Sequence, residues 1–408
     1  MTFEQRTFGN YGVCCRSYPL PYTMKDKSIE DHFNSDEMKA IRSEMESGEP
    51  GPFVSKYCEK CIAHEKSGVT SRRQHRINQL EDAPQSFRDR VNNIIHQSEQ
   101  SVHLFIQNMA FYSLEFKFFG NLCNLKCMMC HPHQSSSLAA EWKKQGKWDG
   151  PTHINSYNDI QSEDFYRDMD IMIPNSLELK FTGGEPLMNR DILDLLQYCV
   201  DKKYAKNIKL IIITNGTKLP KEFLNILNYF KEITINVSLD GVFEVNDYQR
   251  VGSSFDVIDR HINQLIRFPN VKVQVTAAVT AINVGRIHQV VKYAERKNIY
   301  ADISSIVLKP KHLSVSVLPR RIRDIYIEKN KGLTEVISAL DHDDVESEKL
   351  LPAFIQTLRN KDARDGTNFI DIIPELEHEL RETIDIRTLH SADSYLRSHQ
   401  ASQSDIEI

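Results

Sequence analysis

The sequence predicts an α/β protein built on a partial (β/α)6 barrel of the TIM type, with an N-terminal cysteine-containing segment and a helical C-terminal extension. Two observations carry this prediction. Between residues 114 and 308, six β-rich runs alternate strictly with five amphipathic helical stretches, at a repeat of about 30 residues per strand–helix unit. A polar motif directly follows each of the first four strands. Such alternation favours a parallel sheet with right-handed crossovers.

The predicted elements follow one another in a regular order. The strands are expected at 114–120, 176–183, 208–216, 233–241, 271–280 and 301–308, and the helices at 136–145, 190–203, 221–230, 255–268 and 284–297. In barrels of this type, chemistry gathers at the C-terminal ends of the strands. We therefore expect the cysteine loop, GGEP, TNG and SLDG, which follow the first four strands, to meet at one face.

Three further segments flank this region. Residues 1–80 are polar, broken by turns and carry four cysteines, with a capped helix of about three turns predicted at Asn34-Ser35-Asp36 and the ten residues that follow. Residues 81–113 are predicted to be a helical linker, and 309–408 a charged, mostly helical extension without cysteine. A chain of 408 residues can hold two or three such domains.

Composition excludes several classes of protein. The net charge of −5 argues against broad binding to nucleic acid or membrane surfaces. No run of about 18 apolar residues is present to span a membrane. The first residues lack an apolar signal core, so a cytoplasmic location is expected. Eight cysteines over this length are too sparse for a disulfide scaffold and fit reduced metal ligands better.

Three cysteines in one short run are the most informative motif. Cys123, Cys127 and Cys130 form a C-x3-C-x2-C triplet. A [4Fe-4S] cluster normally takes four cysteine ligands, so three leave one iron open to a small molecule. The alternatives are buried apolar thiols or a zinc site completed by His131 and His133, although these histidines lie too close to Cys130 for an easy tetrahedron.

The triplet and a second motif together resemble a known superfamily. Gly183-Gly184-Glu185-Pro186 follows the cysteines by about fifty residues, and the pair is similar to the radical S-adenosylmethionine (radical SAM) superfamily over about residues 114–308. The resemblance implies that SAM binds the open iron. It also implies that one electron, from a donor such as flavodoxin or ferredoxin, cleaves SAM to a 5′-deoxyadenosyl radical that abstracts hydrogen from a substrate.

The same resemblance implies roles for residues at the second and third strand ends. Gly183 and Gly184 would let the backbone receive the SAM amino group, and Glu185 would orient that site. Asn215 would face the same cavity, although it is equally plausible as a turn residue. Met129 stands where the superfamily often has an aromatic residue near the adenine.

Further residues follow the fourth strand. The resemblance implies that Ser238 and Asp240 hydrogen-bond the ribose hydroxyls. Arg250 would contact the SAM carboxylate, for which a guanidinium fork is well suited. The alternatives are a turn at Asp240 and a solvated helix charge at Arg250.

A second group of cysteines lies near the N-terminus. Spacing alone allows Cys14, Cys15, Cys58 and Cys61 to bind zinc or a second cluster, or to remain free thiols. With nearby polar residues the pattern resembles a twitch or SPASM-type segment, which implies an auxiliary [4Fe-4S] cluster; these residues are Glu65, Gly68 and Ser71-Arg72-Arg73. Such segments usually follow the barrel, whereas this one precedes it.

The sequence and its resemblance therefore predict a radical SAM enzyme with SAM, one SAM-binding cluster and an auxiliary cluster. A peptide is the first expected substrate, by analogy with twitch and SPASM relatives. The alternatives are a small-molecule substrate, as in cofactor biosynthesis, and a non-catalytic iron–sulfur or zinc binding module. No catalytic acid or base is identified.

Overall fold

One nine-stranded sheet organises the protein. The computed structural model describes residues 2–5, 10–13, 17–23, 26–27, 31–32, 34–66, 70–96, 110–117, 119–155, 163–342, 344, 347 and 349–377. The strand order is β3-β2-β1-β4-β5-β6-β7-β8-β9, numbered along the chain. Six consecutive strands at one side of this sheet are parallel, and the three N-terminal strands extend it at the other side.

The N-terminal segment contains strands that the sequence analysis did not predict. These are β1 (Thr2–Gln5), β2 (Asn10–Gly12) and β3 (Pro19–Thr23). β1 pairs in parallel with the first barrel strand, while β2 and β3 continue the sheet antiparallel. Strands this short carry too little alternation to be recognised, and pairing with a distant strand decides their conformation.

Helices fill the rest of the N-terminal segment. They are α1 (Asp36–Ser47), α2 (Pro52–Tyr57), α3 (Glu59–Lys66), α4 (Arg72–Glu81) and α5 (Gln85–His96). The predicted capped helix is confirmed, because the Ser35 side chain accepts a hydrogen bond from the Met38 N–H at 3.3 Å. That helix ends at Gly48, whose φ of 80° favours glycine.

The central region is the predicted half-barrel of six parallel strands. Its elements are β4 (Phe111–Phe116), α6 (Ser136–Lys144), α7 (Glu163–Met172), β5 (Ser176–Phe181), α8 (Arg190–Asp201), β6 (Lys209–Thr214), α9 (Lys221–Ile226), β7 (Glu232–Ser238), α10 (Glu244–Gln249), α11 (Phe255–Leu265), β8 (Val271–Val279), α12 (His288–Lys297) and β9 (Tyr300–Ile306). β4 starts before the predicted residue 114, and α7 and α10 are additional helices.

Buried and half-buried residues alternate along the strands, which separates the core face of the sheet from the opposite face. In β7, Ile233, Ile235 and Val237 are fully buried, whereas the residues between them are half-buried. Burying each such aliphatic side chain contributes about 1.5–3 kcal/mol. The core therefore lies on one face of the sheet, and Ser238 at the end of β7 belongs to the other face.

The C-terminal extension is helical over the residues described. It comprises α13 (Arg320–Lys329), α14 (Thr334–Asp341), α15 (Leu351–Asp365) and α16 (Phe369–Ile372). α15 returns to the barrel, where Tyr248 donates a hydrogen bond to Asp362 at 3.0 Å. None of the helices within the described ranges is long and apolar enough to cross a membrane.

Candidate metal and cofactor site at the strand ends

The cysteine triplet lies on the loop between β4 and α6. Cys123 and Cys127 are each 9% exposed, and Cys130 is half-buried. Two backbone hydrogen bonds hold the loop against the chain after α10: Lys126 N–H to the Val251 carbonyl at 2.9 Å and Met128 N–H to the Gln249 carbonyl at 3.0 Å. The structure therefore brings the cysteine loop beside the segment that carries Arg250.

Several N–H groups point at the cysteine sulfurs. The Leu125 backbone and the Asn215 side-chain amide lie 3.5 and 3.8 Å from Cys123 Sγ. The Arg250 guanidinium lies 4.0 Å from Cys127 Sγ. Hydrogen bonds to sulfur are a means by which proteins tune iron–sulfur clusters. This donor set fits anionic thiolate ligands.

Burial acts against ionisation of these thiols in the metal-free chain. It raises the pKa of Cys130 to about 12, and it also raises the pKa of Cys127. The nearby Cys123 thiol adds to the effect at Cys130. Ionised thiolates here therefore require compensating positive charge, which iron supplies. Together with the N–H donors, these buried thiols fit a cluster held by the loop.

The glycine pair of GGEP packs against the cysteine loop itself. Gly184 donates a backbone hydrogen bond to the Gly120 carbonyl at 3.3 Å, and Glu185 donates one to the Leu122 carbonyl at 2.6 Å. A Cβ added to Gly184 would lie 2.3 Å from that Leu122 oxygen. Gly183 has φ of 130°, which L residues rarely adopt. Contact between two loops therefore requires both glycines, independently of any ligand.

Glu185 joins the second and third strand ends. Its side chain is 1% exposed and accepts three hydrogen bonds: from the Thr214 hydroxyl at 2.6 Å, the Asn215 N–H at 2.6 Å and the Leu187 N–H at 3.1 Å. Burial raises the pKa of this carboxyl group to about 7, although the three hydrogen bonds lower it. Glu185 thus fixes Asn215, whose amide faces Cys123.

Asp240 and Arg250 form a buried, two-contact ion pair. Arg250 Nε lies 2.8 Å from Asp240 Oδ2, and Arg250 Nη2 lies 3.1 Å from Oδ1. Oδ1 also accepts a hydrogen bond from the Ala278 N–H at 2.7 Å. Burial disfavours the charged guanidinium, but Asp240 and the Cys127 thiol more than offset this and raise the pKa of Arg250.

The ion pair between Asp240 and Arg250 bears on the ligand contacts that the sequence analysis expected for these two residues. Asp240 is fully buried, and its Oδ1 accepts both hydrogen bonds, from Arg250 Nη2 and the Ala278 N–H, whereas Oδ2 contacts Arg250 Nε only as an ion pair without hydrogen-bond geometry. This placement favours Asp240 as the residue that positions Arg250. Ser238 lies two residues earlier, half-buried at the end of β7 and in register with Thr276 of β8. The structure thus brings Ser238, Asp240 and Arg250 together at this strand end.

A buried polar network next to Asp240 was missed by the sequence analysis. The Asp240 N–H donates to Asn246 Oδ1 at 3.1 Å, and Asn283 Nδ2 donates to the Asp240 carbonyl at 2.7 Å. The Thr280 hydroxyl donates to Gln249 Oε1 at 2.6 Å. A signal was present, because Thr280 and Asn283 directly follow the fifth strand, as the other motifs follow theirs.

Cys58 and Cys61 form a buried pair at the junction of α2 and α3. They are 8% and 5% exposed, and the Cys61 N–H donates to the Cys58 carbonyl at 2.9 Å. Burial and the nearby Cys61 thiol raise the pKa of Cys58 to about 11. Cys14 and Cys15 lie outside the described residues, as does Gly68.

Polar contacts surround this second cysteine pair. Glu65 accepts hydrogen bonds from the Ser71 hydroxyl at 2.5 Å and from Arg73 at 2.6 Å. The Tyr18 hydroxyl, from the residue before β3, donates to Glu59 between the two cysteines at 3.0 Å. The chain just after Cys15 therefore contacts the Cys58–Cys61 turn.

The histidines after Cys130 pack with aromatic residues. The His131 and His133 rings are 4.7 Å apart, and His133 lies 4.8 Å from the Trp148 ring. Within the residues that the structure describes, no three His, Cys, Asp or Glu side chains are arranged to hold a single metal ion.

All six described cysteines are free of disulfides: Cys58, Cys61, Cys123, Cys127, Cys130 and Cys199. Cys199 of α8 is fully buried and is therefore a core thiol.

Comparison with known proteins finds relatives that match part of this chain. An uncharacterized protein of Methanocaldococcus jannaschii is 27% identical over 197 residues, which cover 47% of this chain and 61% of that protein. Fe-coproporphyrin III synthase of Methanosarcina barkeri is 28% identical over 143 residues, which cover 35% of this chain and 31% of that protein. The antilisterial bacteriocin subtilosin biosynthesis protein AlbA of Bacillus subtilis is 31% identical over 128 residues, which cover 31% of this chain and 24% of that protein.

These matches span less than two thirds of each relative's length. The family model described as "Radical SAM superfamily" matches residues 118–294. That range contains the cysteine triplet, GGEP and Arg250, which the structure gathers at adjacent strand ends. The chain therefore contains a Radical SAM superfamily domain.

Proposed function

We propose that this chain is an enzyme that holds a [4Fe-4S] cluster on Cys123, Cys127 and Cys130 and binds S-adenosylmethionine beside it. One electron supplied through the cluster would cleave SAM reductively, giving methionine and a 5′-deoxyadenosyl radical that abstracts hydrogen from a substrate. The observation that carries the proposal is the set of N–H donors from separate elements that converge on the sulfurs of one loop.

The residues around the loop would divide into binding and positioning roles. We propose that Gly183, Gly184 and Ser238 contact SAM, since the two glycines pack against the chain that leads into the cysteine loop and Ser238 ends β7, two residues before Asp240. Glu185 would position Asn215, and Asp240 would position Arg250. A charged guanidinium beside the cysteines suits a carboxylate of the bound SAM.

The decisive experiment is SAM cleavage by anaerobically reconstituted protein. With dithionite and SAM, the wild-type protein should release 5′-deoxyadenosine. Cys127→Ala should abolish release, because two thiolates would hold the cluster poorly. Cys199→Ala is the matched control, since this thiol lies in the core on α8. Equal activity of the two variants, or SAM binding without cleavage by wild type, would contradict an enzymatic role and favour a binding module.

We further propose that the N-terminal segment is twitch- or SPASM-like and holds an auxiliary [4Fe-4S] cluster on Cys58 and Cys61, together with Cys14 and Cys15. The buried cysteine pair and the contact of Tyr18 with Glu59 support this proposal. Zinc is the competing occupant.

Metal analysis separates these occupants. About seven to eight irons per chain are expected if both clusters form. The double variant Cys58→Ser/Cys61→Ser should lose about four irons and still cleave SAM. Zinc at this site in anaerobically purified protein, with about four irons remaining in wild type, would overturn the auxiliary cluster.

We propose a peptide substrate, supported by the similarity to a bacteriocin biosynthesis protein. The similarity to Fe-coproporphyrin III synthase supports a small-molecule substrate as the second candidate. Comparative mass spectrometry of cells with and without the protein would distinguish them: a mass change in a peptide supports the first, and a change in a small metabolite supports the second.

We also propose a cytoplasmic location, since the six described cysteines form no disulfides, which suits a reducing compartment.

A further inference from the structure

A cavity reaches the cysteine loop from the side of the C-terminal extension. It measures about 140 Å³ and lies between the loop, α6, the chain around Pro310 and α15. Cys127 and Cys130 form part of its wall, as do Trp142 and Thr357. None of the strand-end residues assigned above to SAM lines it. The cavity therefore offers a second approach to the same cysteines.

The wall of this cavity is basic. Lys126, Lys147, Lys361 and Arg364 line it, and its lining residues include no aspartate or glutamate. This contrasts with the chain as a whole, which carries a net charge of −5. The cations come from the cysteine loop, the turn after α6, and α15, so the tertiary fold brings them together.

Two carboxylates next to the wall contact three of these cations. Glu141 bridges Lys126 at 2.5 Å and Arg364 at 2.8 Å. Asp365 lies 3.3 Å from Lys361 Nζ, and it also accepts from Arg364 at 2.7 Å. These two carboxylates contact three cations, Lys126, Lys361 and Arg364, so this group of contacts keeps an excess of one positive charge.

Exposed cations flank the same segments. Lys143 and Lys144 end α6, Lys309 and Lys311 surround Pro310, and Arg359 lies on α15. All five are exposed. We call the cavity wall and these five residues the basic face. Clustered charge of one sign steers an oppositely charged partner during encounter and raises its association rate.

We propose that the basic face docks an acidic one-electron carrier protein, and that the electron used in SAM cleavage enters the cluster from this side. The inference rests on the proposed function. In this step the carrier loses one electron and the cluster gains one, with no bond made or broken. The strand-end side would be occupied by SAM and substrate, which leaves the basic face as the approach to the cysteines. Weak electron-transfer encounters need only a small interface.

The test measures cluster reduction by a purified acidic flavodoxin, reduced beforehand, under stopped-flow conditions at low salt. The charge-reversal variant Lys144→Glu/Lys147→Glu should lower the second-order rate constant by about tenfold or more. The matched control is Lys206→Glu/Lys231→Glu, at the chain segments that precede β6 and β7. It carries the same change in net charge at the opposite end of the strands, and its rate constant should change less than about twofold.

Cleavage of SAM with dithionite at about 1 M salt, where charges are screened within about 3 Å, separates the two proposals. All three proteins should release 5′-deoxyadenosine equally under that condition. Equal flavodoxin rates for the basic-face variant and the control, with intact dithionite-driven cleavage, would overturn the docking face alone. Failure of wild type to cleave SAM with dithionite would overturn the proposed function and this inference with it.

Discussion

Neutralising Asp240 should destabilise the protein because it leaves the Arg250 guanidinium buried without its counter-charge. Arg250 is 12% exposed and Asp240 is fully buried, with contacts of 2.8 and 3.1 Å between them. Removing one partner of a buried ion pair costs about 3–5 kcal/mol, chiefly from the uncompensated charge. We therefore expect Asp240→Asn to lower the free energy of unfolding of the apo protein by that amount.

The assay is thermal unfolding under anaerobic, metal-free conditions. At about 2 °C per kcal/mol, the variant should melt at least about 6 °C below wild type. Asp194→Asn is the matched control: Asp194 pairs with Arg190 at 2.9 Å on the exposed surface of α8. An exposed pair contributes about 1 kcal/mol or less, so the control should melt within about 2 °C of wild type.

A second arm isolates the unpaired charge. If the cost arises from Arg250, then Arg250→Met in the Asp240→Asn background should recover part of the lost stability, because no buried cation remains. Equal melting temperatures for Asp240→Asn and Asp194→Asn would refute the reasoning. So would a double variant less stable than Asp240→Asn alone.

Three further expectations follow from contacts around the cysteine loop. Because burial raises the pKa of Glu185 from 4.5 to about 7, the native state holds this proton more tightly than the unfolded state. Wild-type stability should therefore fall relative to Glu185→Gln by up to about 3 kcal/mol as pH rises from about 4.5 to about 7, and parallel melting curves across that range would contradict this. Gly184→Ala should cost about 1–3 kcal/mol and reduce cluster content, since its Cβ would meet backbone at 2.3 Å. Gly48→Ala, with open space around its Cβ, should cost only about 1 kcal/mol and leave iron content unchanged; equal iron loss in both would show that contact at Gly184 is unimportant. Glu141→Gln should loosen α15 by weakening the bridge from Arg364 of α15 to α6, which limited proteolysis of the C-terminal extension would detect; unchanged cleavage rates would count against that bridge.

Local pattern was sufficient to predict the half-barrel and the strand ends after which the candidate motifs lie. The strand at 233–241 could be recognised because apolar residues alternate along it, and the structure has β7 at Glu232–Ser238. The cysteine triplet could be placed at a strand end because the loop lies directly after β4. Both features are encoded within a few consecutive residues, where local preference and chain geometry act directly.

Contacts between distant residues could not be read in the same way. The sequence analysis expected Asp240 to contact a ligand, but it could not identify the protein groups that Asp240 contacts, Arg250 and the Ala278 N–H, 10 and 38 residues away. It expected Gly184 to let the backbone approach a ligand closely, but it could not show that the Leu122 carbonyl lies 2.3 Å from where a Cβ on Gly184 would stand. A residue type states which contacts a side chain can make, but not which of them the fold supplies.

The sequence by itself determined the alternating strands and helices, the three thiols of one loop and the polar residues that follow each strand. Tertiary structure alone decided that β1 extends the sheet beside β4 and that Arg364 of α15 reaches Glu141, 223 residues earlier. The physical reason is that hydrophobic periodicity and loop spacing act over a few residues. Strand pairing, buried ion pairs and a basic wall beside the cysteines depend instead on which distant segments meet when the chain is compact.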